Sequence, residues 1–136
     1  MYLYLPTQRK EIVLNGTELA RYDGSDPSLP IYIAINGRVY DVSESDHYYG
    51  PGGSYHFFAG KDAARAWGTN CLGFPAHYTH DLRGLTETQL QGVEGWQSFY
   101  DDHHTYYYVG RVLHEPIDPE SDIPPDCKGA IPKPAE

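Results

Sequence analysis

Positive charge is scarce in this chain. Ten Lys and Arg stand against nineteen Asp and Glu over 136 residues, for a formal net charge of −9. A surface this acidic repels phosphate backbones and anionic headgroups, which argues against nucleic acid as a partner. No stretch approaches the roughly 18 apolar residues needed to span a bilayer. The apolar opening, Met1 to Leu5, is too short for a signal peptide or a helix. The chain therefore reads as soluble, unless an anchor precedes it. Cysteine is nearly absent. Cys71 and Cys127 lie far apart, and a disulfide in an oxidising lumen and two free thiols fit equally well. Asn15-Gly16-Thr17 is a glycosylation sequon, which matters only in a secretory lumen. Two signatures are missing altogether: Gly-x-Ser-x-Gly, the nucleophile elbow, and the Gly-Lys-Ser/Thr ending of a phosphate loop. Hydrolase and kinase chemistry thus lack their usual scaffolds.

What the chain has in excess is tyrosine, thirteen against four phenylalanines. Tyr brings apolar area together with a hydroxyl that wants a partner when buried. This composition suits a sheet-rich domain with amphipathic faces, or a site built from phenols. The sequence divides into an N-terminal segment over 1–10, a body over 11–114 and a tail over 115–136. From Pro116 onward there are six of the eleven prolines, and from Glu115 onward six acidic residues and two lysines. Such a tail cannot build its own core. It reads as a linker, with an extended strap on the body as the alternative.

The body is patterned as α+β. Thr17 to Tyr22 predicts a short helix stopped by Asp23-Gly24. Ile31, Ile33 and Ile35 alternate, Asn36-Gly37 supplies a turn with positive φ, and Val39 to Val42 return, so a hairpin is expected over Ile31–Val42. His47 to Tyr55 contains three glycines and a proline and predicts a tight loop. Asp62 to Trp67 favours helix. Thr86-Glu87-Thr88-Gln89 is a capping box, behind which Leu90, Val93, Trp96 and Tyr100 share one helical face. Tyr106 to Leu113 reads as a strand. Tyr32, Tyr40, Tyr100, Tyr107 and Tyr108 read as ordinary amphipathic packing. The seven histidines lack nearby cysteines and read as loop residues rather than a zinc cluster. Cys71 reads as a small core residue.

The run from Tyr49-Gly50-Pro51-Gly52-Gly53-Ser54-Tyr55 through Phe57, Phe58 and Lys61 to Arg65 resembles the signature of the membrane-associated progesterone receptor family. That family is a branch of the cytochrome b5-like haem/steroid-binding domains. Leu19 to Gly24, Ile33 to Val42, the helix reaching Trp96, and Tyr106 to Leu113 with Val109-Gly110-Arg111 resemble its other blocks, in order. The resemblance implies a cytochrome b5-like fold, a small mixed sheet with short helices forming a haem pocket. It implies a single protein ligand to the iron, a tyrosine, which falls on Tyr55. It places a hydrogen-bonding tyrosine on Tyr49 and a haem-edge tyrosine on Tyr106. Thr105 stands where relatives carry lysine, and Ala64 where many carry serine. Phe57 and Phe58 are candidate apolar walls, with ordinary core the competing role.

The implied chemistry is coherent. Ferric iron links binding and deprotonation of a phenol whose ordinary pKa is about 10. A phenolate favours Fe(III) and draws the reduction potential down. A second phenol donating to it would orient it and tune its basicity. The expected function is a non-enzymatic ferric haem b protein that carries or senses haem or supports a cytochrome P450 partner. A haem-stacked homodimer and an anchored position at the endoplasmic reticulum membrane follow from the same resemblance. Two alternatives stand beside it. One is a haem-free module for a steroid or other apolar molecule. The other is an electron-transfer cytochrome b5 with two axial histidines drawn from His56 and His77 or His80.

Overall fold

Asn36 and Gly37 take φ values of 50° and 92°, the consecutive left-handed residues that a two-residue hairpin turn requires. They join β2 (Tyr32–Ile35) to β3 (Arg38–Asp41), antiparallel, with Ile33 opposite Tyr40. The computed structural model describes residues 10–127. The apolar opening and the end of the tail, both read from the sequence, lie outside the described residues. β4 (Tyr107–Leu113) pairs antiparallel with β3, and β1 (Ile12–Asn15) pairs parallel with β4, giving a mixed sheet in the order β1-β4-β3-β2. β1 was not foreseen from the sequence.

Helix starts follow the capping chemistry. Asn15 accepts from the amide of Glu18 at 2.8 Å, and the Glu18 carboxylate accepts from the Asn15 amide, so the sequon asparagine opens α1 (Gly16–Leu19). A 3₁₀ turn continues to Tyr22, as expected. α2 (Asp46–Tyr49) corrects the expected loop: His47 to Tyr49 are helical, and the chain leaves the helix only at Gly50, whose amide bonds Asp46 O at 2.7 Å. The glycines and proline start at 50, so nothing before them forbids a turn of helix. α3 (Ala64–Thr69) ends at Asn70 in the left-handed region, φ 60°. α4 (Glu87–Asp102) begins with the Thr86–Gln89 capping box.

The pleat sends Ile33, Ile35 and Tyr40 to one side of the sheet, where Val42, Phe58, Ala66, Val93 and Tyr100 complete the main core. Ala34, Val39 and Val112 face the other side against Leu19. Val93 and Tyr100 on α4 are buried, but Trp96, on the same face, is 40% exposed.

Asp62 ties these parts together. Its side chain is 1% exposed. Oδ1 accepts from the amides of Asn36 and Ala64, at 2.9 and 3.1 Å. Oδ2 accepts from the Gly37 amide and from His114 Nε2, each at 2.7 Å. The hairpin turn, the start of α3 and the exit of β4 thus share one carboxylate.

His114 in turn stacks face to face on His80, with centroids 3.7 Å apart and planes 4° apart. Burial, and then the neighbouring His114, hold His80 below its ordinary pKa, while Asp62 and Asp81 pull the other way. The unfolded chain takes up that proton near pH 6.5, so below this pH the unfolded state binds more protons and native stability falls. His80→Gln is expected to flatten this fall between about pH 7.5 and about pH 5.5 in urea unfolding. An unchanged slope would move the acid sensitivity to other groups.

Candidate functional site

The chain from Tyr48 to Tyr55 folds back tightly on itself. The Gly53 amide bonds Gly50 O, and the Tyr55 amide bonds Tyr48 O, each at 2.9 Å. A methyl on Gly53 would run into the Tyr48 carbonyl oxygen, with the Tyr48 carbonyl carbon at 2.6 Å. Only glycine lets these strands of loop approach so closely. The turn therefore sets Tyr55 beside Tyr49, with ring centroids 6.2 Å apart. His56 fastens the far side of the loop, its Nδ1 2.8 Å from Tyr49 O.

Above this loop lies a cavity of about 660 Å³, within the usual range for small-molecule sites. Tyr48, Tyr49, Ser54, Tyr55 and Phe58 line it from the loop side, Ala66, Trp67, Asn70 and Leu72 from α3 and its exit, and Trp96, Phe99, Tyr100 and Tyr106 from α4 and the start of β4. The four residues read as cofactor contacts, Tyr49, Tyr55, Tyr106 and Phe58, all line this one space. Phe57 does not: it stacks on Tyr78, centroids 5.0 Å apart. Phe58 stacks on Trp67 at 4.2 Å with planes 11° apart, making a flat apolar wall. Thr105 bonds His103 Nδ1 at 3.0 Å, and His103 stacks on Tyr106 at 4.2 Å.

The hydroxyls form local pairs. Tyr49 shares a hydrogen bond of 2.5 Å with Tyr100, and Tyr106 one of 2.9 Å with Ser45. Burial pushes the Tyr49 and Tyr100 phenols well above their ordinary range, so both keep their protons at neutral pH and remain donors. The partner of Tyr49 here is Tyr100, not Tyr55. From the sequence, Tyr100 reads as packing. It is buried as packing requires, yet its hydroxyl completes the site. Trp67, Trp96 and Phe99 also escaped the sequence reading as wall residues. The spacing of Trp96, Phe99 and Tyr100 on one helix is the signal that could have found them.

No histidine lines the cavity among the described residues. His77 is 2% exposed, with Nδ1 2.9 Å from Thr69 Oγ1 and Nε2 2.7 Å from Pro125 O. His80 lies against His114 beside a separate, shallower depression. Cys71 forms a disulfide with Cys127 and has no thiolate to offer. The cavity's oxygen donors are phenols, one serine hydroxyl and one amide. They fit a hard, Lewis-acidic centre such as ferric iron and give no pair of axial imidazoles.

In sequence and in fold the chain is similar to known proteins. The model of the family "Cytochrome b5-like Heme/Steroid binding domain" matches residues 15–113. Membrane steroid-binding protein 2 of Oryza sativa subsp. japonica is 40% identical over 122 residues, 90% of this chain and 44% of that protein. The neuferricin homolog of Caenorhabditis elegans is 43% identical over 119 residues, 88% of this chain and 36% of that protein. The chain thus spans less than half the length of these relatives. An Arabidopsis thaliana protein described as having a cytochrome b5 like fold superposes with a TM-score of 0.67 at 36% identity, covering 82% of this chain and 99% of that one.

Proposed function

Because the chain belongs to the cytochrome b5-like haem/steroid-binding domain family, alongside the membrane steroid-binding proteins, we propose that its aromatic cavity binds haem b, with Tyr55 as the one protein ligand to ferric iron. The observation that carries this reading is the donor set: among the described residues, phenols line the cavity, and imidazole and thiolate do not. Haem, when bound, supplies a Lewis-acidic, redox-active iron that accepts an anionic oxygen.

The chain's own residues do the rest. Tyr55 gives up its phenolic proton on binding. Tyr49 stays protonated and, when Tyr100 donates to it, has its own hydrogen free for a neighbouring oxygen. Ser45 holds the Tyr106 hydroxyl at the cavity edge. Phe58 and Trp67 present a flat wall and keep water off one side. Such a site suits carrying or sensing haem, or supporting a cytochrome P450, rather than transforming a substrate. The exposed rim of Tyr48, Trp96 and Phe99 is where two haem-loaded copies would stack. Relatives named as membrane or membrane-associated proteins support a place at a membrane, and we assign it to the endoplasmic reticulum on the family resemblance alone. Among the described residues no helix is long and apolar enough to cross a membrane.

Hemin titration of wild type and Tyr55→Phe tests the reading. Wild type is expected to give a five-coordinate ferric spectrum with tyrosinate character. The variant should lose that character and bind at least about tenfold more weakly, about 1.4 kcal/mol. Identical spectra and affinities would remove Tyr55 from the role. A second reading, a haem-free steroid site, draws on the names of the relatives. A protein that refuses hemin but binds a sterol would establish it instead.

A further inference from the structure

The acidic, Pro-rich tail lies on the body as a strap as far as Cys127. Arg83 holds its first part, donating to Ser121 O at 3.0 Å and to Asp122 O at 3.1 Å while paired with Asp81 at 2.8 Å. His77 holds the next part. Its Nε2 donates to Pro125 O, and its other nitrogen faces Thr69 at the end of α3. The Cys71–Cys127 disulfide closes the strap two residues later.

Two of these ties, His77 through Thr69 and the disulfide through Cys71, reach the end of α3. α3 carries Ala66 and Trp67 into the cavity, and Asn70 and Leu72 line it on either side of Cys71. Cys71 is itself 5% exposed. On the strap, Ile123 is 50% exposed and Ile117 and Pro124 are half-buried. The hydrogen bonds that Arg83 gives the strap are exposed and the one from His77 is half-buried, each of small net worth beside a covalent bond.

We infer that this strap is a redox latch on the cavity: the Cys71–Cys127 bond clamps the exit of α3, and its reduction loosens that wall and speeds release of whatever the cavity holds. A dithiol reductant would open it. One thiolate attacks a cystine sulfur to form a mixed disulfide, and the second thiolate then displaces it. Two electrons pass to the protein, the reductant leaves as its own disulfide, and its two thiol protons end on Cys71 and Cys127. The effect on ligand release rests on the cavity being the binding site; the latch itself does not.

The test uses the full chain in three forms: oxidised, reduced and alkylated, and Cys127→Ser, which changes the strap alone. The oxidised form should show no free thiol and a Cys71–Cys127 cross-linked peptide by mass spectrometry. In the other two, amides over 64–72 should exchange hydrogen at least about tenfold faster while β2 and β3 keep their protection, and hemin should leave at least about fivefold faster. Two free thiols after oxidative refolding would overturn the proposal, as would unchanged exchange over 64–72. Faster exchange with an unchanged hemin release rate would overturn control of the cavity. If neither form takes hemin, the haem reading fails and the exchange over 64–72 alone decides the latch.

Discussion

Asp62→Ala is expected to lower the unfolding free energy by about 3 kcal/mol, a large share of the roughly 5–15 kcal/mol that holds a domain together. The carboxylate is almost wholly buried and serves four donors, the amides of Asn36, Gly37 and Ala64 and the imidazole of His114. Removing it strands those donors at the junction of the hairpin, α3 and β4, where water reaches them poorly. Asp62→Asn should be nearly as damaging. An amide offers one acceptor oxygen, but donors approach both oxygens of Asp62, so the amide nitrogen would face an N–H. Urea unfolding checks this: the midpoint should fall with the slope unchanged. A loss within about 0.5 kcal/mol for both variants would mean that the junction is held by packing alone.

Gly53→Ala is expected to reduce hemin affinity by more than about tenfold and to cost about 1–3 kcal/mol of stability. The added methyl would meet the Tyr48 carbonyl and His47 O, the latter at 2.7 Å. Both are backbone atoms at the end of α2, so the loop itself must move. The Tyr48 carbonyl is the acceptor for the Tyr55 amide, and its displacement carries Tyr55 away from Tyr49. Gly52→Ala is the control. Its φ is +85° and nothing lies within 4 Å of the new methyl, so it should cost about 1–2 kcal/mol of backbone strain and leave affinity intact. Equal hemin binding by wild type and Gly53→Ala would show that the tight turn does not set the ligand.

The parts that were legible in the sequence are those whose signals are local. Asn36-Gly37 and the Thr86–Gln89 box carry their chemistry within four residues, and both formed. β1 was not legible. Ile-Val-Leu-Asn is four residues long, and its partner is the last strand, so no nearby turn announces the pairing. α2 was hidden because the breakers after Tyr49 coloured the residues before them. Within the cavity, the resemblance led to Tyr49, Tyr55 and Tyr106, and these side chains do line one space. Tyr100 was missed as a site residue because periodicity reports burial, not the partner of a hydroxyl. The strap had a different obstacle. Arg83 and His77 grip backbone carbonyls, which every residue possesses, so no side-chain pattern marks the positions held.

The parallel pairing of Ile12 with Gly110 and of Asn15 with Leu113 has a consequence for biogenesis. β4 lies between β1 and β3, so it is the strand on which both ends of the sheet depend, and it is synthesised last. A nascent chain stalled before Tyr107 holds a lone hairpin, which is marginal by itself in water, and an orphaned first strand with its polar edge bare. Productive folding must await translation of nearly the whole domain, and until then the emerging chain is a natural client for chaperones.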